Sequence, residues 1–453
     1  MTYTCQTVIL NREAVKNLLL LQFRLRCGMC FAMMAIKKQK GKRDSFMEQK
    51  REIRYFGLIY LLMVGSSSFG AYATNFYREV GLNGSQIGLI TSTANLLALL
   101  LLPVFGIISD RIRSPRKMLF LLVFVMILPY LPLGLCGAFG YAPFALVFAL
   151  AVINNTARKA TGTPMDAWAG AEISRMGVPF GNVRRYGSLG YIGASLLSSV
   201  LIGSVLPTWS CYFFLFASTL PVLLITGSAR GRSYENPVKK EEKKEKTSVL
   251  LRMVLRNYYF VTYLFLAVAF GLFLGLVTVN LSYLMDHVGA PRSAIGIVGC
   301  VRPLTEIVVI ALLNRQKKLP PYWVLLVASG VLIAMEHLLY AYASSLLHIC
   351  LITVFCSGLS GGFYYGVGNN YVFRVVDSRA GSTAMSVLGI TQSLVSVLAA
   401  GIGGTVIDRW GITALTTGVG VIAMAMTALF LLACVMGRLV WKKPYVTEQP
   451  CSR

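Results

Sequence analysis

Gly106-Ile107-Ile108-Ser109-Asp110-Arg111-Ile112-Arg113-Ser114-Pro115-Arg116-Lys117 is a short polar break between two long apolar runs, and its reading decides the fold. A helix needs roughly 20 apolar residues to cross the hydrocarbon of a bilayer, and each flanking run approaches that length. Backbone polar groups in lipid are satisfied only within a helix or a closed barrel, so uninterrupted apolar runs select helices. The break is therefore a tight, basic turn at the membrane surface. Its one acid, Asp110, stands among arginines with which it can form charge-assisted contacts, while Gly106 would let neighbouring helices approach.

Outward from this turn the same alternation recurs from about Tyr55 to Met436. With 56% hydrophobic and 13% charged residues, the 453-residue chain has far fewer charges than the roughly 25% of a soluble domain. The fold class is all-α integral membrane, with about twelve spans starting near Tyr55, Ser85, Lys117, Ala142, Asn182, Thr208, Asn257, Pro291, Pro320, Ser345, Gly381 and Ile412. A net charge of +25 would suggest a nucleic-acid partner in a soluble protein, but here most bases fall in the breaks between spans. One alternating set of breaks holds Arg111, Arg113, Arg116, Lys117, Arg175, Arg184, residues 239–246 and 315–318, Arg374 and Arg379; the other holds little beyond Arg78, Arg292 and Arg409. The positive-inside tendency makes the first set cytoplasmic, with both termini on that side of a cell membrane.

Residues 230–256 carry the longest polar interruption, including Lys239-Lys240-Glu241-Glu242-Lys243-Lys244-Glu245-Lys246, which cannot bury a core and reads as a solvated cytoplasmic linker. It separates a six-helix bundle at residues 50–229 from a second at 257–438, followed by a cytoplasmic tail at 439–453. Residues 1–49 form a leader whose only apolar stretch is cut by Arg24 and Arg26. Met47, just before Lys50, Arg51 and Arg54, is the start expected for the native chain, and the Cys27-Gly28-Met29-Cys30 pair is given no redox or metal role. The ten cysteines follow neither metal-ligand spacing nor a disulfide framework, so no metal and no cofactor are expected.

The Gly106 to Lys117 stretch resembles the G-x-x-x-D-R-x-x-x-x-R/K signature of the major facilitator superfamily. Gly403-Gly404-x-x-x-Asp408-Arg409-x-Gly411 is similar to that superfamily too. The resemblance implies two six-helix halves and a gating role for Gly106, Asp110, Arg111 and Arg116. Its second-half counterpart, Asn314-Arg315-Gln316-Lys317-Lys318, lacks the acid. A narrower resemblance, to the lactose-permease type of oligosaccharide and nucleoside proton symporters, runs through Pro164-Met165-Asp166-Ala167 and Phe180-Gly181-Asn182-Val183-Arg184-Arg185-Tyr186-Gly187-Ser188-Leu189-Gly190-Tyr191. It implies substrate contacts at Asp166 and Arg184, and a ring-stacking role at Tyr191, where the lactose permease has Trp. Glu306 falls at that family's substrate-linked carboxylate, and His337, beside Glu336, replaces a ninth-span Arg. The tenth-span His and Glu that carry the proton in the lactose permease have no match in residues 351–374.

Charge inside such helices is expensive, at least about 2.5–3.5 kcal/mol for a group at the bilayer centre, so it faces a partner or a watery cavity. Lys159 and Arg158 interrupt the fourth span, Arg302 and Glu306 share one face of the eighth, and Glu336 and His337 lie in the ninth. The substrate-binding set expected is Asp166, Arg184, Tyr191, Lys159, Arg302, Glu306 and His337, with Glu306 or Asp166 as proton carrier. The glycines of residues 358–368 suggest a flexible gating helix. The function expected is proton-coupled symport of a sugar, oligosaccharide or nucleoside by alternating access, in a monomer, with lipid and a small solute as partners. Uptake of an anionic solute is the alternative because bases outnumber acids at the site, and efflux comes third. Without an H-E-x-x-H, a nucleophile elbow or a phosphate loop, no enzyme is expected.

Overall fold

The computed structural model describes residues 47, 49–112, 114–176, 178, 180–228, 247–316 and 319–440. The leader with Cys27 and Cys30, the charged run of 230–246, Arg113, Lys317, Lys318, the tail beyond 440 and the side chain of Asp110 lie outside this description. Among the described residues the chain is almost wholly helical, and its only β pairing is the isolated bridge of Ile202 with Leu206. Nine of the described helices are long and apolar enough to cross a membrane.

In chain order the helices are α1 (Gln49–Glu79), α2 (Gly84–Ile112), α3 (Pro115–Ala138), α4 (Phe144–Arg175), α5 (Gly181–Leu201) and α6 (Thr208–Ser228). After the linker come a short amphipathic helix, α7 (Thr247–Arg256), then α8 (Tyr258–His287), α9 (Ala294–Arg315), α10 (Tyr322–Tyr340), α11 (Leu346–Val375) and α12 (Gly381–Leu439). The long helix α12 breaks at Gly411, whose φ of 79° is open to glycine and strained for most other residues. Helix α4 and helix α5 are missing from the nine apolar spans because they carry polar faces.

Local chemistry starts these helices where they start. Ser114 accepts from the backbone N–H of Lys117 at the head of α3, and Pro115 occupies the first helical position, where its missing N–H costs nothing. Asn257 receives the Phe260 N–H at 3.0 Å, and Ser345 the His348 N–H at 3.3 Å, so α8 and α11 begin on side-chain caps.

One apolar core is built mainly from α1 to α6 around Tyr72, Phe76, Trp168 and Tyr212; a second gathers α8 to α12 around Phe260, Tyr263, Phe270 and Phe430. The two sets meet along two seams. In the first, α2 lies against α12, where a Cβ on Gly404 would strike the Gly84 carbonyl oxygen and one on Gly88 the Ala400 carbonyl oxygen at 2.5 Å. In the second, α5 lies against α9, where Gly296 abuts the backbone of Ser195. Small residues at both seams let backbones touch, which is how helices pack when lipid removes the usual hydrophobic drive.

Candidate functional site

At one end of the molecule the two sets of helices are tied by polar contacts. Arg78 pairs with Asp286 and donates to Ser282, and Arg292 pairs with Glu79, which also accepts from Thr208. Asp408, on α12, receives the N–H groups of Gly84 and Ser85 at 2.7 Å each and the Ser85 hydroxyl at 2.6 Å. Its carboxylate thus caps the first turn of α2, where free N–H groups and the helix dipole favour an anion. Beneath, the Tyr72 hydroxyl donates to the Ser293 carbonyl and accepts the Gly296 N–H. At the opposite end, the contacts of Gln49 with Met176, Arg116 with Thr226 and Asn257 with Val375 each join helices of one set.

Below the tied end lie three adjoining chambers. The first, about 200 Å³, is walled by Tyr191 of α5, Phe273 of α8, Arg302 of α9, Glu336, His337 and Tyr340 of α10, and Thr353 and Ser357 of α11. A second, about 320 Å³, shares Tyr191 with it and adds Tyr77, Asn95, Asn155, Arg158 and Lys159. A third, about 330 Å³, continues from Lys159 and Asn95 to Gln392 and Ser393.

Proline and a wide turn shape the walls. Pro303 and Pro164 sit inside α9 and α4, where each removes a backbone donor, and residues 353–358 of α11 form a π-turn, a feature that gathers at functional sites. That turn carries Thr353 and Ser357 into the first chamber.

Within the first chamber Arg302 lays its guanidinium over the Phe273 ring at 4.1 Å, leaving its Nε buried without a partner. Next to it Glu336 is only 3% exposed, and its Oε2 has no hydrogen-bond partner. His337 contacts the Ile333 carbonyl through Nδ1 at 2.9 Å. A carbonyl can only accept, so Nδ1 carries the proton and Nε2 remains the variable position.

The expected site residues thus divide by position. Tyr191, Arg302 and His337 meet in the first chamber, and Lys159 lines the other two. Glu306 packs toward Gly361 of α11, where an added Cβ would lie 2.9 Å from its Oε2, with an Arg302 nitrogen 3.6 Å from the same point. Asp166 and the exposed Arg184 are not among the chamber walls; Asp166 accepts a hydrogen bond from the Tyr60 hydroxyl, toward the untied end. Arg111 is exposed, Arg116 ties α3 to α6, and nothing lies within 4 Å of a Cβ built on Gly106. Sequence reasoning noted Glu336 as a membrane charge without giving it a role, and passed over Phe273 and Tyr340. An acid in an otherwise apolar span was the signal for Glu336; nothing in the sequence marks which aromatics face a cavity.

The family model described as "MFS_1 like family" matches residues 53–416. The uncharacterized transporter YwbF of Bacillus subtilis (strain 168) is 23% identical over 383 residues, 82% of this chain and 91% of its own length. Among solved structures, the nucleoside transporter NupG superposes with a TM-score of 0.65 at 17% identity, over 86% of this chain and 99% of that one. An auto-inhibited POT family peptide transporter superposes with a TM-score of 0.69 at 10% identity, over 88% and 99%. At such identities the likeness is one of fold.

Proposed function

Given that this chain belongs to the MFS_1 like family of membrane transporters, we propose that it moves a neutral polar solute, a nucleoside or sugar, together with protons by alternating access. The observation that carries the reading is the first chamber: one base, one acid and one imidazole held among aromatic rings between the two sets of helices. Rings there offer flat apolar faces to a base or sugar, while Arg302, Glu336 and His337 offer donors and acceptors. The fold shared with a nucleoside transporter supports this choice of solute.

In this reading α4 and α5 are spans as well, and the Gly411 break divides α12 into two, giving twelve crossings in two six-helix bundles at residues 50–229 and 257–438. Basic residues at the untied end support cytoplasmic termini, and the transporter of this reading is a monomer in the cell membrane. The tied end is then the outer gate, closed, and the bundles rock about the chambers to expose each side in turn. An inward proton carries about 2.3 kcal/mol per 100 mV of membrane potential, enough to accumulate a neutral solute.

Arg158 and Lys159 line the second chamber with no acid among its walls, which favours an anionic solute such as a sugar acid as the second reading. A thermal-shift screen of purified protein against nucleosides, sugars and sugar acids, followed by counterflow in proteoliposomes, separates the two. Stabilisation and exchange by uridine or a neutral sugar is expected; stabilisation by sugar acids alone moves the conclusion to the second reading, and flux of none of them ends both.

A further inference from the structure

We propose that α7 is a lipid-docking helix: Arg252 and Arg256 receive the headgroup of an anionic phospholipid, with Leu251, Leu255 and Val249 seated beside it at the acyl boundary. The proposal needs the membrane fold and no particular solute.

Around α7, at 3.6 residues per turn, the side chains fall into four stripes. Leu250 and Val254 form the stripe against the second set of helices, where Val254 is fully buried and Leu250 packs on the core that holds Tyr259, Phe260 and Val376. Next comes Leu251 with Leu255, 39% and 49% exposed. Exposed Ser248, Arg252 and Arg256 follow, and then Val249, 48% exposed, with the half-buried Met253. The arginines thus run along the outer surface with exposed aliphatic side chains on either side. A connector lying in water would leave those aliphatic groups to the solvent, and a helix sunk in hydrocarbon would take two charges with it. The headgroup layer suits both kinds of residue: leucines reach the acyl boundary, and guanidinium groups meet phosphate, which they bind through a two-pronged fork.

The setting supplies the depth and the charge. Only Asn257 separates α7 from α8, and its side chain accepts the Phe260 N–H and donates to the Val375 carbonyl, so α7 is fixed at the mouth of a span at the untied end. It packs there against α8, α12 and the short turn Ser378–Ala380. No acid stands on α7, and the acid just before that turn, Asp377, is engaged by Arg379 through its Nε at 3.2 Å and a terminal nitrogen at 3.1 Å. In sequence, the run that enters α7 at residues 239–246 adds five lysines against three glutamates. An anionic leaflet draws in basic segments beside a span by about fivefold in affinity for each base. Because Leu250 and Val254 already hold the helix against the protein, the lipid meets a site formed in advance.

The test uses the full chain, purified and offered phosphatidylglycerol and phosphatidylcholine of matched acyl chains, with retained lipid counted by native mass spectrometry. The parent is expected to keep phosphatidylglycerol in preference. Arg252→Gln combined with Arg256→Gln is expected to lower that affinity about 25-fold, against about fivefold for either alone. Arg252→Lys with Arg256→Lys keeps the charge and loses the fork, so an affinity between parent and double glutamine variant is expected. Equal retention in the parent and the double glutamine variant, or full displacement of phosphatidylglycerol by millimolar inorganic phosphate, overturns the assignment. Depth is read separately from a spin label at Leu255→Cys, in a background freed of native cysteines and in vesicles containing phosphatidylglycerol. Dissolved oxygen is expected to relax the label more than a water-soluble nickel chelate does; the reverse order places α7 in water and refutes the proposal.

Discussion

Asp408 does at residue scale what a capping side chain does within a helix, except that it reaches across from another helix. Its carboxylate takes three hydrogen bonds from Gly84 and Ser85, so Asp408→Ala strands two N–H donors at the head of α2. The loss should be about 0.5–2 kcal/mol of the tied arrangement, the usual range for a cap. A cysteine placed in the tied end is expected to react faster with a membrane-impermeant thiol reagent in Asp408→Ala than in the parent; equal rates would remove Asp408 from the gate. The conditions for this contact were legible as a Gly-Gly-x-x-x-Asp stretch, but its partner 324 positions away was not. The same holds for Glu336: an acid in an apolar span announces itself, while its burial among Arg302, His337 and Tyr340 is written only in the packing of α10 on its neighbours.

Among the helices, polarity and cavity lining coincide. The two long helices absent from the nine apolar spans, α4 and α5, contribute Arg158, Lys159 and Tyr191 to the chambers. A helix that lines water carries polar residues and so reads poorly as a span. Glycine spacing has the opposite character. On α5 a Cβ at Gly190 would collide with the Leu61 carbonyl oxygen and lie 2.8 Å from the Leu61 Cα, both rigid backbone of α1. Gly190→Ala is therefore expected to cost about 1–3 kcal/mol, the range for overpacking, read as a lower midpoint of thermal unfolding in detergent. An unchanged midpoint would mean that α1 and α5 can separate freely. In α11, Gly362 faces Val309 with 2.5 Å between an added Cβ and the valine Cβ, and Gly358 and Gly361 likewise abut α9. Close packing against α9 thus accounts for glycines whose density alone suggested a flexible helix.

For the whole molecule, alternating access requires that the tied end open once per cycle. Ser85 and Asp408 face each other across the seam of α2 and α12, so Ser85→Cys with Asp408→Cys, in a background freed of native cysteines, offers a disulfide that closes it permanently. Oxidation is expected to abolish counterflow and a reductant to restore it; full activity in the oxidised state would exclude rocking at this seam. That the chain is a helical, multi-pass membrane protein of a transporter superfamily was readable from the order of its residues, since apolar run length and loop charge are local properties set by the dielectric of lipid. That order also named the charges that are costly where they stand. Which of them share a chamber follows from the three-dimensional packing alone. Arg302, His337 and Tyr191 converge there and Asp166 and Arg184 do not, since convergence depends on helix rotation and crossing, and these are set by glycine contacts and proline bends between segments hundreds of residues apart.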